Sequence, residues 1–319
     1  LTQSRGLGDV YKRQVLCGPA DVMWVYHPPL TVGIPAWWIG LLRRVPFVYE
    51  IQDMWPETVA ATGMVSSRLA MNWLAKLARF VYRRAAAITV ISPGFRRNLI
   101  AKGVPSEKIH VVPNWANEEV YLPVSPKPEL ADQYGLTGRF NIVYGGNLGA
   151  AQAMDNVLAA AALLCDLPEI QFVLIGDGVA EAALRQQAAE RGLSNVRFIG
   201  RQPPERMPSF FALADVLLVH LRRDPLFEIT IPGKTIAYLA CGRPILCVVA
   251  GDAADVVRDA GAGVACPPQD PAALAQAVRD LHAMAAEQRE AMGQAGRRAF
   301  VANYTRAVLV GRYEAVSYT

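Results

Sequence analysis

From Val15 onward, short apolar runs alternate with longer stretches whose apolar residues recur every three or four positions. The first kind predicts buried strands and the second amphipathic helices. Strands are expected at residues 21–25, 47–51, 87–91 and 109–112, with helices between them at 30–42, 69–84 and 94–102. This is the rhythm of a parallel sheet with helices on its faces. It breaks over 113–136, where Pro113, Pro123, Pro126 and Pro128 punctuate a stretch without sustained period. It then restarts, with strands expected at 140–144, 170–175, 196–199, 216–220 and 245–249. Helices are expected between them at 153–164, 180–191, 204–214, 234–241 and 252–260, and two more at 271–284 and 287–303.

The pattern predicts an α/β protein of two Rossmann-like, doubly wound parallel-sheet domains. The first covers residues 15–122, a linker 123–136, the second 137–303, and a C-terminal segment 304–319. Two such domains in series place a cleft between them, lined by the loops that follow the strands. The first domain has no Gly-rich turn after its opening strand and is expected to be incomplete. Residues 1–14, LTQSRGLGDVYKRQ, carry no period or turn logic and look like a non-native leader, as do the final residues SYT.

Composition changes this picture little. At 319 residues, 52% of them hydrophobic, the chain can fill two cores. The uncharged run 22–42 is long enough to suggest a bilayer span, but Pro28, Pro29, Pro35 and His27 interrupt it, which fits a strand followed by a buried helix. The first residues lack the charged, apolar, small order of a secretory signal. Five cysteines, Cys17, Cys165, Cys241, Cys247 and Cys266, form no CxxC, and no histidine stands at ligand spacing from them. They read as reduced core thiols of a cytoplasmic protein, with no metal site.

Charge is more informative. Residues 1–124 carry 14 Lys and Arg against 8 Asp and Glu, and no acidic residue occurs between Glu57 and Glu107. Within that stretch, residues 68–84 (RLAMNWLAKLARFVYRR) combine Trp73, Leu77, Phe80 and Val81 with five cations. Such a helix can rest on an anionic membrane surface. It equally suits an ordinary amphipathic helix with a solvated basic face. No nucleic-acid-binding motif accompanies the basic stretch.

Three glycine-marked turns follow strands in the second half. In IPGKT, Pro232 and Gly233 open a helix whose first amides lack internal partners, and Lys234 adds a full positive charge. A helix N-terminus of this kind attracts phosphate. YGGNLG places Gly145 and Gly146 where backbone amides can approach a diphosphate, and IGDG sets Asp177 between Gly176 and Gly178. Asp53 follows a strand and precedes Trp55-Pro56, while His27 precedes Pro28-Pro29 at another strand end. Asp53 and Glu57 also suit capping or first-turn positions of a helix.

Together DMWPE, ISPGFRRNLIAKGVPSEKIHVVPNW, YGGNLG, IGDG, FIGRQPPERMPSFFALADVLLV and IPGKTIAYLACGRPI resemble the retaining glycosyltransferases of family 4. Their architecture is GT-B, two such domains facing a cleft, and the likeness leans toward bacterial colanic acid and fucosamine transferases. It implies transfer of a sugar, with retention, from a nucleotide diphosphate sugar to a saccharide or polyprenyl-linked acceptor at the inner face of the plasma membrane. It requires no further cofactor. Gly145, Gly146, Asn147, Gly176, Asp177, Gly178, Glu228, Gly233, Lys234 and Thr235 would hold the donor, with Arg201 at the base. His27, Asp53 and Glu57 would stand near the reacting centre. This chain departs from relatives in having Asn147 and Gln152 where many carry Arg and Lys, with Arg222 or Arg223 as substitute cations. It also has Ala237 where many carry a ribose-binding Glu. A nucleotide-sugar epimerase of the same architecture, or a non-catalytic nucleotide-sugar-binding partner, are the alternative readings.

Overall fold

The computed structural model describes residues 19–61 and 67–318. The leader 1–14 and Cys17 lie outside the described residues. The chain divides into two compact units: one runs up to Pro113 and resumes at Gly311, and the other spans Asn114–Val310.

In the first unit, β1 (Met23–His27), β2 (Phe47–Ile51), β3 (Ala87–Val90) and β4 (Ile109–Val111) form a parallel sheet in the order β1-β2-β3-β4. Between them run α1 (Gly33–Arg43), α2 (Glu57–Ala61), α3 (Arg68–Arg84) and α4 (Pro93–Ala101). Alternate residues of a strand face opposite sides of its sheet. Phe47 and Tyr49 of β2 share one side; Tyr49 lies 6.2 Å from Tyr82 of α3, and its hydroxyl donates to the Leu30 carbonyl. Val48 and Glu50 share the other side. There Glu50 accepts hydrogen bonds from Trp24 Nε1 at 2.5 Å, Gln52 Nε2 at 2.6 Å and the Tyr313 hydroxyl at 3.1 Å. Three donors satisfy a carboxylate that is only 9% exposed. The helices start where the sequence supplies caps: Ser67 accepts from the Ala70 amide and Ser92 from the Phe95 amide.

The second unit begins with α5 (Pro128–Tyr134), inside the stretch expected to be a linker. Pro128 occupies the first turn, where no amide hydrogen is needed, and Gly135 closes the helix at a φ of 68°. Next come β5 (Phe140–Gly145), α6 (Met154–Ala162), β6 (Ile170–Ile175), α7 (Glu181–Glu190) and β7 (Val196–Ile199). They are followed by α8 (Met207–Phe211), β8 (Val216–His220), α9 (Pro225–Glu228), α10 (Gly233–Cys241) and β9 (Ile245–Val248). The unit continues with α11 (Asp252–Asp259), β10 (Gly263–Ala265), α12 (Pro271–Ala283), α13 (Ala286–Asn303) and the start of α14 (Arg306–Ser317).

All six strands are parallel, in the order β10-β9-β8-β5-β6-β7. Each face of this sheet carries a core. Ile142 and Tyr144 enter one with Phe172 and Leu218, and Val143 enters the other with Val173 and Leu217. Burying each such side chain stabilises the fold by roughly 1.5–3 kcal/mol. The strand order reverses between β5 and β8, and a ligand crevice is expected outside the carboxyl ends of the strands at such a reversal.

Three departures from expectation stand out. The contact division falls at Pro113, before the expected boundary at 122. The C-terminal segment is a helix whose last turns join the first unit. Cys165 is exposed rather than in a core, whereas burial pushes the thiols of Cys241, Cys247 and Cys266 up to about 12. Among the described residues, no helix is long and apolar enough to cross a membrane.

Candidate functional site

A cavity of about 580 Å³ lies at the strand-order reversal of the second unit. Gly145, Gly146 and Asn147 after β5, Gly176 and Asp177 after β6, Arg201 after β7, and Gly233 and Lys234 at the start of α10 all line it. Two of these glycines are demanded by the backbone. Gly146 and Gly176 adopt φ values of 147° and 143°, and a Cβ on Gly176 would sit 1.9 Å from the Gly146 carbonyl oxygen. The two loops therefore touch through their main chains.

Their amides are not free for an anion, contrary to expectation. The Gly145 amide donates to the Tyr238 hydroxyl at 2.9 Å, and the Gly146 amide donates to the Ile175 carbonyl at 2.9 Å. The Gly145 and Gly146 amides are thus already used, and what these glycines provide is close approach of the chain. Pro232 precedes that helix, and no side chain caps its first amides. The Lys234 ammonium is buried without a hydrogen-bond partner, 3.7 Å above the centre of the Tyr144 ring. Burial lowers its pKa to about 7. A helix N-terminus and an unpaired ammonium in one cavity are suited to a dianionic phosphate.

Other polar groups hold the loop after β5 in place. Buried His220 bridges it: one ring nitrogen lies 2.7 Å from the Gln152 carbonyl and the other 2.8 Å from Asn156 Nδ2. Desolvation brings this ring down to about 4. A neutral ring donating from Nδ1 and accepting at Nε2 satisfies both contacts. Asn147 and Gln152, the positions where the resemblance led us to expect cations, bond to each other, and Gln152 also accepts from the Gly149 amide.

The substitute cations lie elsewhere. Arg222 pairs with Asp224 at 3.1 Å, and Arg223 donates to the Pro268 carbonyl. Glu228 does not line the cavity either; it borders a separate hollow with Arg223, Gly251, Arg258 and Cys266, because the chain turns at α9. Thr235, in the first turn of α10, is fully buried. Gly178 lies outside the lining, and its role is steric, since a Cβ there would meet the Leu148 carbonyl oxygen at 2.5 Å. Ala237 does line the cavity, so the position of the absent glutamate is where a ligand would meet it. Arg201 and Asp177 face each other at 3.7 Å, both exposed.

The pattern did not single out Trp115, Asn117, Tyr121, Met207, Phe211 or Tyr238, all of which line the cavity. The only sequence signal for the first three was aromatic and amide side chains within an aperiodic stretch.

The three residues expected near the reacting centre belong to the first unit. His27 is 1% exposed, packed against Tyr49 and Trp55, with neither ring nitrogen hydrogen-bonded; burial brings it down to about 4. Glu57 is tied to Lys102 at 2.5 Å. Asp53 is half-buried at the end of β2, and desolvation raises its pKa. His27 is thus enclosed by its own unit, whereas Glu57 is paired but keeps 32% of its side chain exposed.

Two parallel α/β units, one bearing a glycine-lined cavity with an unpaired lysine, fit the two-domain GT-B class of fold. Residues 126–299 match the family described as "Glycosyl transferases group 1", and residues 6–115 match "Glycosyl transferase 4-like domain". The chain belongs to this glycosyltransferase family. It is 27% identical to the probable glycosyltransferase WbjE of Pseudomonas aeruginosa over 240 residues, 74% of this chain and 59% of that protein. It is 32% identical to the putative colanic acid biosynthesis glycosyl transferase WcaI of Escherichia coli K12 over 158 residues, 49% of this chain and 38% of that protein. The chain therefore spans well under two thirds of these relatives. In structure it resembles Anabaena Alr3699/HepE in complex with UDP, at a TM-score of 0.81 and 17% identity, over 98% of this chain and 82% of that one. That likeness establishes the GT-B fold class.

Proposed function

We propose that this protein takes a sugar from a nucleotide diphosphate sugar and passes it, with retention, to a saccharide on a lipid carrier during surface-polysaccharide assembly. The observation that carries the reading is the Lys234 ammonium, buried and unpaired in a cavity beside the uncapped start of α10. As the glycosidic bond to the donor breaks, negative charge gathers on the departing diphosphate. A fixed cation and helix amides aimed at that charge stabilise the transition state more than the ground state. The likeness to a putative colanic acid biosynthesis glycosyl transferase favours a polysaccharide acceptor. Lys234→Ala is expected to remove turnover, roughly a hundredfold or more, while circular dichroism and melting stay those of a folded protein. Unchanged turnover in that folded variant would overturn the reading.

The enclosure of His27 and the pairing of Glu57 with Lys102 favour a second reading, a nucleotide-sugar-binding partner without chemistry of its own. Incubation with donor and lipid-linked saccharide separates the two, since a partner yields no product. Conversion of donor without acceptor would instead mark an epimerase.

We further propose that α3 meets an anionic bilayer at the inner face of the membrane. Leu69 and Trp73 are 83% and 59% exposed on it, beside the exposed cations Arg68, Lys76, Arg79 and Arg83. Flotation with anionic liposomes is expected, weakening as salt screens the charges. Equal binding to neutral liposomes would refute the charge-based part.

A further inference from the structure

The second unit holds another large cavity, of about 640 Å³, at the opposite ends of its strands from the donor cavity. Asp215 and Arg243, which line it, stand just before β8 and β9. Helix α10 runs between the two cavities, with Gly233 and Lys234 at one and Cys241 at the other. Much of the remaining wall is α13, which contributes Arg289, Glu290, Arg297 and Arg298.

Four guanidiniums thus meet two carboxylates, and each carboxylate is turned to a neutral donor. Asp215 accepts from the Asn141 amide at 2.8 Å, and Glu290 accepts from Gln294 Nε2 at 3.2 Å. Among the described residues none of these four arginines forms an ion pair, whereas Arg185, Arg201, Arg222, Arg258 and Arg279 of the same unit all do. Three of the four are instead aimed by main-chain carbonyls at the ends of helices. Arg243 donates to Ala212 after α8, Arg297 to Ala240 in the last turn of α10, and Arg289 to Leu281 and Met284 at the end of α12. Such capping occupies one or two of the five N–H donors that each guanidinium carries. It does not account for Arg298, which is exposed and lines the cavity.

We propose that this cavity is a second anion site, which takes a small molecule bearing a phosphate monoester or a diphosphate. Four guanidiniums against two carboxylates leave two positive charges, which match a dianion. Guanidiniums also present the paired donors that phosphate oxygens accept. The carbonyl contacts hold three of the side chains in place before a ligand arrives, so less side-chain freedom is lost on binding. The volume leaves room for the group that carries the phosphate.

Calorimetric titration of the full chain with inorganic pyrophosphate tests this. The donor cavity is expected to take pyrophosphate as well, so Lys234→Met is the background in which the second site is read. Binding should persist in Lys234→Met, and adding Arg298→Glu should weaken it about tenfold or more. Arg298 is exposed, so the melting temperature should stay where it was. Arg191→Glu, a charge reversal at an exposed position outside the cavity, should leave the affinity unchanged. Loss of all pyrophosphate binding in Lys234→Met overturns the proposal, and so does unchanged affinity on adding Arg298→Glu. An equal loss with Arg191→Glu would also overturn it, by marking the general charge of the protein. Tighter binding of malonate than of pyrophosphate would overturn the phosphate class. If Arg298→Glu abolishes binding in the wild-type background and Lys234→Met changes nothing, the donor-cavity reading falls and this site stands.

Discussion

The two units treat a withdrawn lysine in opposite ways. In the first, Lys102 reaches Glu57, and Glu50 collects three hydrogen-bond donors. In the second, Lys234 stands in a cavity with no such partner. The sheets differ in the same sense. The described strands of the first run in sequence order, whereas the second reverses between β5 and β8 and opens its cavity there. A buried charge left unsatisfied costs stability, so its persistence points to a ligand that completes it. Glu57 makes the contrary point, because its partner is already supplied.

The severest test of this contrast is steric. Gly176→Ala would drive a Cβ into the Gly146 carbonyl at a φ that favours glycine. It should abolish nucleotide binding and cost on the order of 3 kcal/mol in chemical denaturation. Retained binding would mean the two loops need not touch.

A matched pair of lysine variants sharpens the comparison at smaller amplitude. Lys102→Met leaves Glu57 unpaired and should destabilise by roughly 1–3 kcal/mol. Lys234→Met removes an uncompensated ammonium and should stabilise by about 2 kcal/mol while losing nucleotide affinity. Loss of stability in both variants would erase the distinction drawn here.

The smallest effect is in pH. The Lys234 pKa is depressed to about 7 from its ordinary value of 10.5. Between these values the unfolded chain holds a proton that the folded chain has released, so the Lys234 contribution to stability rises with pH across this window. Below about 7 both states are protonated and the penalty is complete. A bound diphosphate favours the charged form, so binding above pH 7 takes up a proton and weakens toward tenfold per unit. Calorimetry in two buffers of different ionisation enthalpy measures that uptake, which should vanish in Lys234→Met.

Much of the fold was legible because fully buried parallel strands are short apolar runs. The expected strands at 47–51, 170–175, 196–199 and 216–220 match the observed bounds residue for residue. β10 was missed because its three half-buried residues carry no apolar period. α5 was missed because Pro128 signals a break in sequence, yet is tolerated in the first turn of a helix. The loop glycines were legible because their backbone conformations favour that residue. The use of their amides was not, since the Gly145 donor is claimed by Tyr238, 93 residues away. Glu228 was misplaced because sequence distance from Lys234 says nothing of the turn between them.

The closing helix has a consequence for synthesis. Tyr313 and Val316 pack on Trp24 and on Val48 with Ala87, covering a sheet whose strands are translated some two hundred residues earlier. The contacts that Trp24, Val48 and Ala87 make with this helix can therefore form only after the whole second unit has been translated.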